Sequence, residues 1–193
     1  MGDRMATLTF PLRTERLELR LFVDDDLDAL FEMQSDEAIT RYLYWGPRSR
    51  DEVRNELERI KQFTAIDDER DAIRVAAVLP ASGAVIGDIA LWRTSRPHAQ
   101  GEIGYVLHPA HHGHGYATEA CEALLRVGFE VLGLHRIVAS ADARNEASIR
   151  VMERLGMRRE AYLRENEFVK GEWTDEVIYA MLASEWQAGG HGH

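Results

Sequence analysis

The sequence predicts an α+β domain built around a mixed sheet, and three observations predict it. Near the N-terminus Leu17, Leu19 and Leu21 alternate with Glu18 and Arg20, the period of a strand with one buried face. Helical spacing follows, then three strand-like segments in succession, so strands and helices do not alternate regularly. The last two strand-like segments flank Lys170-Gly171, a hairpin turn. The resulting order is β, two helices, β-β-β, a long helix, β, a helix, β-β. That order fits neither a doubly wound fold nor an all-β one.

Each element has its own signal. The first strand spans Glu15 to Val23, after which Asp24 to Asp26 supply an N-cap and an acidic first turn for a short helix carrying Leu27, Leu30 and Phe31. Ser49-Arg50-Asp51-Glu52 is a capping box, with Val53, Leu57 and Ile60 at helical spacing behind it, predicting a helix to about Thr64. Ile73–Leu79 and Val85–Arg93 flank Pro80-Ala-Ser-Gly83 as a hairpin, and Glu102–His108 is the next strand. From Tyr116, residues Ala117, Cys121, Leu124, Leu125, Gly128, Val131 and Leu132 trace one helical face that Gly133 ends. Arg136–Ala141 is a strand, Asn145–Leu155 a helix closed by Gly156, and Tyr162–Val169 and Trp173–Leu182 form the final hairpin.

A chain of 193 residues fits one domain, expected over residues 1–186, with 187–193 expected to be a disordered tail ending in GGHGH. The net charge is −10, which disfavours nucleic acid or an anionic membrane as a partner. Apolar runs are far shorter than a membrane span, and the N-terminus lacks the pattern of a signal peptide. A single cysteine, Cys121, excludes an intrachain disulfide framework and suits a reducing cytoplasm, the expected location.

The stretch HPAHHGHGYATE, His108 to Glu119, admits two readings. Gly113 and Gly115 stand between a strand and a helix, where free N–H groups and the helix dipole make a cradle for an anion such as pyrophosphate. Alternatively His108, His111, His112 and His114 gather around a metal, although their loop spacing lacks the i, i+4 helical pairing and contains no cysteine. Two nucleotide motifs fail here: there is no Gly-Lys pair for a phosphate-binding loop, and Thr118 replaces the third glycine of a dinucleotide fingerprint.

His112-Gly113-His114-Gly115-Tyr116-Ala117 resembles the [QR]-x-x-G-x-[GA] acetyl-CoA motif of the GNAT superfamily of N-acyltransferases, with histidine in place of the first Gln or Arg. The flanking EIGYVLHP and YATEA, together with TERLELR at Thr14–Arg20 and NEASIRVMERLGM at Asn145–Met157, are similar to the ribosomal-protein N-terminal acetyltransferase branch. The resemblance spans roughly Thr14 to Trp186. It implies a mostly antiparallel twisted sheet, splayed between the strand at Glu102–His108 and that at Arg136–Ala141, with acetyl-CoA as co-substrate and no metal. The backbone of Val106 and Leu107 would face pantetheine, the amides of Gly113 to Thr118 would hold the pyrophosphate, and Asn145 would anchor pantetheine.

The resemblance also implies the chemistry. A tyrosine that many relatives use beside the sulfur falls on Met152, so Ser148 is expected to take that place. Glu167 matches a carboxylate used as base in the N-terminal-acetylating branch, and Glu102 is its rival. Tyr42, Trp45 and Trp92 are candidates for the acceptor pocket wall. The expected reaction is acetyl transfer to a primary amine, a peptide α-amine or a small amine. A non-catalytic CoA-binding or regulatory domain of the same fold is the alternative, and a homodimer is compatible with either.

Overall fold

A computed structural model describes residues 8–66 and 71–189. Nine strands form one sheet: β1 (Leu12–Arg13), β2 (Glu18–Leu21), β3 (Thr64–Ile66), β4 (Asp71–Leu79), β5 (Ala84–Ser95), β6 (Gln100–Leu107), β7 (Arg136–Asp142), β8 (Arg158–Val169) and β9 (Glu172–Leu182). Their order is β1-β2-β4-β5-β6-β7-β9-β8, with β3 also pairing β4. Every pairing is antiparallel except β6–β7.

Both faces of the sheet are covered, because its strands alternate inward residues on either side. Ile73, Val75 and Ala77 of β4 face α4 (Tyr116–Arg126), where Ala120, Cys121, Leu124 and Leu125 form the buried stripe read from the sequence. The helix α5 (Glu146–Arg154) adds Met152 to that core. The neighbouring residues Ala76 and Val78 point the other way, toward Leu30 and Met33 of α1 (Leu27–Ser35) and Val53, Leu57 and Ile60 of α3 (Arg50–Ile60). Each buried Val, Leu, Ile or Met among them contributes about 1.5–3 kcal/mol. Among the described residues no helix is long and apolar enough to cross a membrane.

Several boundaries differ from the sequence expectation. The capping box of Ser49 and Glu52 forms, but α3 ends at Ile60, and Thr64 opens β3 because its backbone is captured by Ile73. Asp24–Asp26 forms a 3-10 turn in which Asp26 makes no helix cap. Its carboxylate turns inward, accepts from both terminal nitrogens of Arg20 at 2.7 Å and from the Val23 amide at 2.9 Å. The long helix widens to a π turn over Val127–Val131, where a Cβ on Gly128 would lie 2.5 Å from Ile137 of β7. Two short helices lack a sequence signal: α2 (Glu37–Thr40) and α6 (Ala183–Ala188). The latter carries the chain two residues past Trp186, and residues 190–193 of the expected tail lie outside the described residues.

Candidate acetyl-transfer site

β6 and β7 pair only over Gln100↔Arg136, Gly101↔Ile137 and Glu102↔Val138. Beyond Glu102 they part, β6 following β5 to Leu107 while β7 follows β9 to Asp142. The facing edges therefore carry backbone groups that no ladder satisfies, an opening that water or a ligand must fill. The His108 amide donates to the Ile86 carbonyl at 2.8 Å, so ladder alternation turns the backbone of Leu107 and Tyr105 toward the opening. By the same alternation the backbone of Val106 faces Asp88 on β5, and its side chain contributes to the site.

At the end of β6, Pro109–His111 forms one 3-10 turn and the chain enters α4 through Gly113 and Gly115, with φ of 80° and 82°. Both values lie in the left-handed region, where a side chain costs about 1–2 kcal/mol. Gly115 is the N-cap of α4 and offers no side chain, so the first amides of the helix stay open. A Cβ at Gly113 would meet nothing within 4 Å. The Thr118 hydroxyl is buried there without a hydrogen-bond partner among the described residues. An anion seated on this turn would receive both the open amides and that hydroxyl, so the residues present fit a pyrophosphate.

Three of the four loop histidines serve its backbone. His112 Nε2 lies 2.8 Å from the Leu107 carbonyl, His114 Nδ1 lies 2.8 Å from the His112 carbonyl, and His108 Nδ1 accepts from the Ala110 amide at 3.2 Å. No group of three potential ligands converges among the described residues. His114 stacks on Tyr116 with ring centroids 5.7 Å apart and does not line the cleft, whereas His112, Gly113, Gly115, Tyr116, Ala117 and Thr118 do.

A clamp missed in the sequence holds this turn. Thr14 Oγ1 donates to Glu119 at 2.6 Å, the Arg16 amide at 2.7 Å and Arg16 Nε at 2.7 Å, while Arg16 Nη1 donates to the His114 carbonyl at 2.8 Å. Burial opposes ionisation of Glu119, but these donors outweigh it and hold the carboxyl below its ordinary range. TERLELR and YATEA, which look unrelated in the sequence, meet here.

Two clefts open on the gap. One, of about 510 Å³, runs along the glycine turn and also takes in Leu107, Arg150 and Arg154. The other, of about 440 Å³, lies across β6 and contains Glu102, Glu167, Trp45 and Trp92. They share Tyr42, Leu43, Tyr105, Val106, Asn145 and Ser148. Asn145 caps α5 by accepting from the Ser148 amide at 3.1 Å, and the Ser148 carbonyl accepts from the Tyr105 hydroxyl at 2.9 Å. Ser148 is thus held by its backbone on both sides. Met152 is buried in the core.

Glu167 reaches the second cleft because β8 bulges: Leu163 pairs Glu176 and Glu167 pairs Thr174, so four steps on β8 match two on β9. Its carboxylate accepts from the Tyr44 hydroxyl at 3.1 Å. Burial raises the Glu167 pKa above the ordinary range, opposed by the Tyr44 hydrogen bond and reinforced by Glu176 and Asp142. Glu102 is raised too, mainly by burial, with the Ser140 hydroxyl at 3.5 Å as its weak partner. The segment carrying Tyr42, Tyr44 and Trp45 is tied down by Lys170, whose ammonium donates to the Thr40 and Arg41 carbonyls. Trp92 lies over Gly104, where a Cβ would sit 2.9 Å from its ring.

Residues 16–158 match the acetyltransferase (GNAT) domain family. The chain is 33% identical to a Bacillus subtilis protein described as the uncharacterized N-acetyltransferase YnaD, over 91% of this chain and 98% of that one. It is 31% identical to Bacillus subtilis YdaF, named provisionally as a ribosomal N-acetyltransferase, over 90% of this chain and 94% of the other. The crystal structure of a GNAT-family acetyltransferase from Bacillus anthracis superposes with a TM-score of 0.80 at 33% identity, covering 90% of this chain and 98% of that one. With a splayed sheet, an open glycine turn at its rim and this likeness over most of its length, the chain belongs to the GNAT family and is an acetyl-CoA-dependent N-acetyltransferase.

Proposed function

We propose that the chain transfers the acetyl group to a primary amine, a peptide α-amine or a small amine, by direct attack of the amine on the thioester. The observation that carries this reading is the meeting of the two clefts at Tyr105, Val106, Asn145 and Ser148, with Glu102 and Glu167 on the far side. Acetyl-CoA supplies an activated acyl group. The open amides of Gly113 to Thr118 bind its diphosphate, and the edge of β6 beside Val106 and Leu107 orients the pantetheine with Asn145. Ser148, on the shared wall, donates a hydrogen bond to the departing sulfur, which leaves as a thiolate and takes up its proton from water. Glu167 takes the proton of the amine, directly or through water, and Glu102 is the competing base.

YdaF's provisional name, ribosomal N-acetyltransferase, supports an amine of a ribosomal component as one acceptor class, and a lone buried thiol, Cys121, supports a cytoplasmic setting. Thiol release measured over a panel of amines and short peptides tests the reading. Turnover on at least one amine is the expected result; CoA binding without turnover on any would favour a regulatory domain instead.

Three variants sharpen it. Ser148→Ala is expected to lower kcat about 10- to 100-fold while acetyl-CoA affinity changes little, because the hydrogen bond strengthens only as charge develops on the sulfur. A wild-type kcat would remove the hydroxyl from the reaction. A base must be ionised, so kcat/KM should fall as pH drops through the raised pKa of Glu167. Glu167→Gln should erase that acid limb and Glu102→Gln should keep it; the reverse pattern would assign the base to Glu102.

A further inference from the structure

We infer that the acceptor is an acidic amine, one that carries a carboxylate or phosphate within about 10 Å of the reacting nitrogen, and that Arg48 receives the acidic group. This deepens the transferase reading and rests on it. The second cleft has charge of opposite sign at its two ends. Glu102 and Glu167 are its carboxylates without a cation: their partners are hydroxyls, Ser140 at 3.5 Å and Tyr44 at 3.1 Å. An arriving ammonium or amine finds its counter-charge there.

The inner wall is built differently. Arg74, beneath Ala90, gives both sides of its guanidinium to Asp88 and a third donor to Glu56 at 2.9 Å. Arg59 occupies both oxygens of Glu56, at 2.7 and 2.9 Å. The two carboxylates are therefore saturated by two arginines. Arg48 is the third guanidinium on this wall, with a side chain only 22% exposed. Its Nη1 donates to the neutral Gln34 amide oxygen at 2.7 Å and makes only a long ion pair, 3.7 Å, with Glu56, the carboxylate that Arg59 and Arg74 already share. The plane lies over the Trp45 ring, 4.1 Å from its centroid, which fixes the fork without neutralising it. A fixed, half-satisfied guanidinium is the geometry that binds carboxylate or phosphate.

The register sets the span. Arg74 pairs Ala90, and Ala90 pairs Gly104 of β6, so the arginine cluster lies two strand spacings, about 10 Å, from the strand that borders the acetyl site. An amine whose acid group stands six or seven bonds away, as in a long ω-amino acid or a peptide with an acidic second residue, extends about 8 Å, and its hydrogen bond to the guanidinium spans the rest. A polyamine would instead bring a second ammonium against a wall where three guanidiniums face two carboxylates.

Matched acceptors test this on the intact protein by thiol release: 6-aminohexanoate against hexylamine, Ala-Glu-Ala amide against Ala-Gln-Ala amide, 6-aminohexyl phosphate against 6-aminohexanol, and spermidine. The expected result is a kcat/KM at least about tenfold higher for the acidic member of one pair, which also identifies the source of the acid group. Spermidine should be among the poorest. Arg48→Gln should bring the acidic-to-neutral ratio toward one. Neutral members or spermidine reacting as fast as the acidic amines overturns the inference and leaves the transferase reading intact, as does a ratio unchanged in Arg48→Gln. If that variant fails to fold, the wild-type ratios still decide. Silence on every amine overturns both readings.

Discussion

Gly115→Asp is expected to weaken acetyl-CoA binding by about 1,000-fold or more, measured by calorimetric titration. Two costs add. Gly115 has a φ of 82°, so any L side chain costs about 1–2 kcal/mol of backbone strain. The introduced carboxylate would also stand at contact distance from a diphosphate, and unit charges 4 Å apart repel by about 4 kcal/mol at an effective dielectric of about 20. A Cβ at this position lies 3.4 Å from Arg16 Nη2, so the new acid would compete with Glu119 for Arg16 and loosen the clamp on the helix start. Gly115→Ala carries the strain alone and should cost about tenfold, since 1.4 kcal/mol is a factor of ten. Unchanged affinity in Gly115→Asp would overturn the assignment of the cradle.

Asp88→Ala is expected to lower the unfolding free energy by about 3–5 kcal/mol, read from denaturant melts. Asp88 is 4% exposed and holds Arg74 through both carboxylate oxygens, on the strand beside Val106. Burial penalises the Arg74 charge, and Asp88 and then Glu56 more than compensate, raising its pKa. Removing Asp88 leaves a buried cation with Glu56 alone, which Arg59 already occupies. The double variant Arg74→Met, Asp88→Leu should recover most of the loss, because the buried pair is expensive to break and far less so to replace. A loss below 1 kcal/mol in Asp88→Ala would mean that water reaches Arg74.

Most of the elements and the glycine turn were legible from local sequence. Period-2 alternation in ERLELR, the capping box at Ser49 and the apolar stripe from Ala117 to Leu125 are local signals, and each appears where expected. Gly113 and Gly115 were legible because positive φ favours one residue type, so the turn announces itself in composition. The ends of α3 and of the long helix were not, since β3 exists only through its pairing with β4 and the π turn lies where Gly128 approaches Ile137.

Which side chains meet around the second cleft depends on the packing of distant segments. Tyr44 meets Glu167 from 123 positions away, and Lys170 reaches Thr40 across 130. Glu119 is claimed by Thr14 and Arg16 from over 100 positions away. Asp88 in VIGDIALW and Arg74 in IRVAAVL were each visible as a lone charge in an apolar strand, yet only the β4–β5 register joins them. Hydrogen bonds and ion pairs form between whatever side chains the packed sheet brings within about 3 Å. Local periodicity fixes which face a residue takes, and the order of strands alone fixes which residue it meets there.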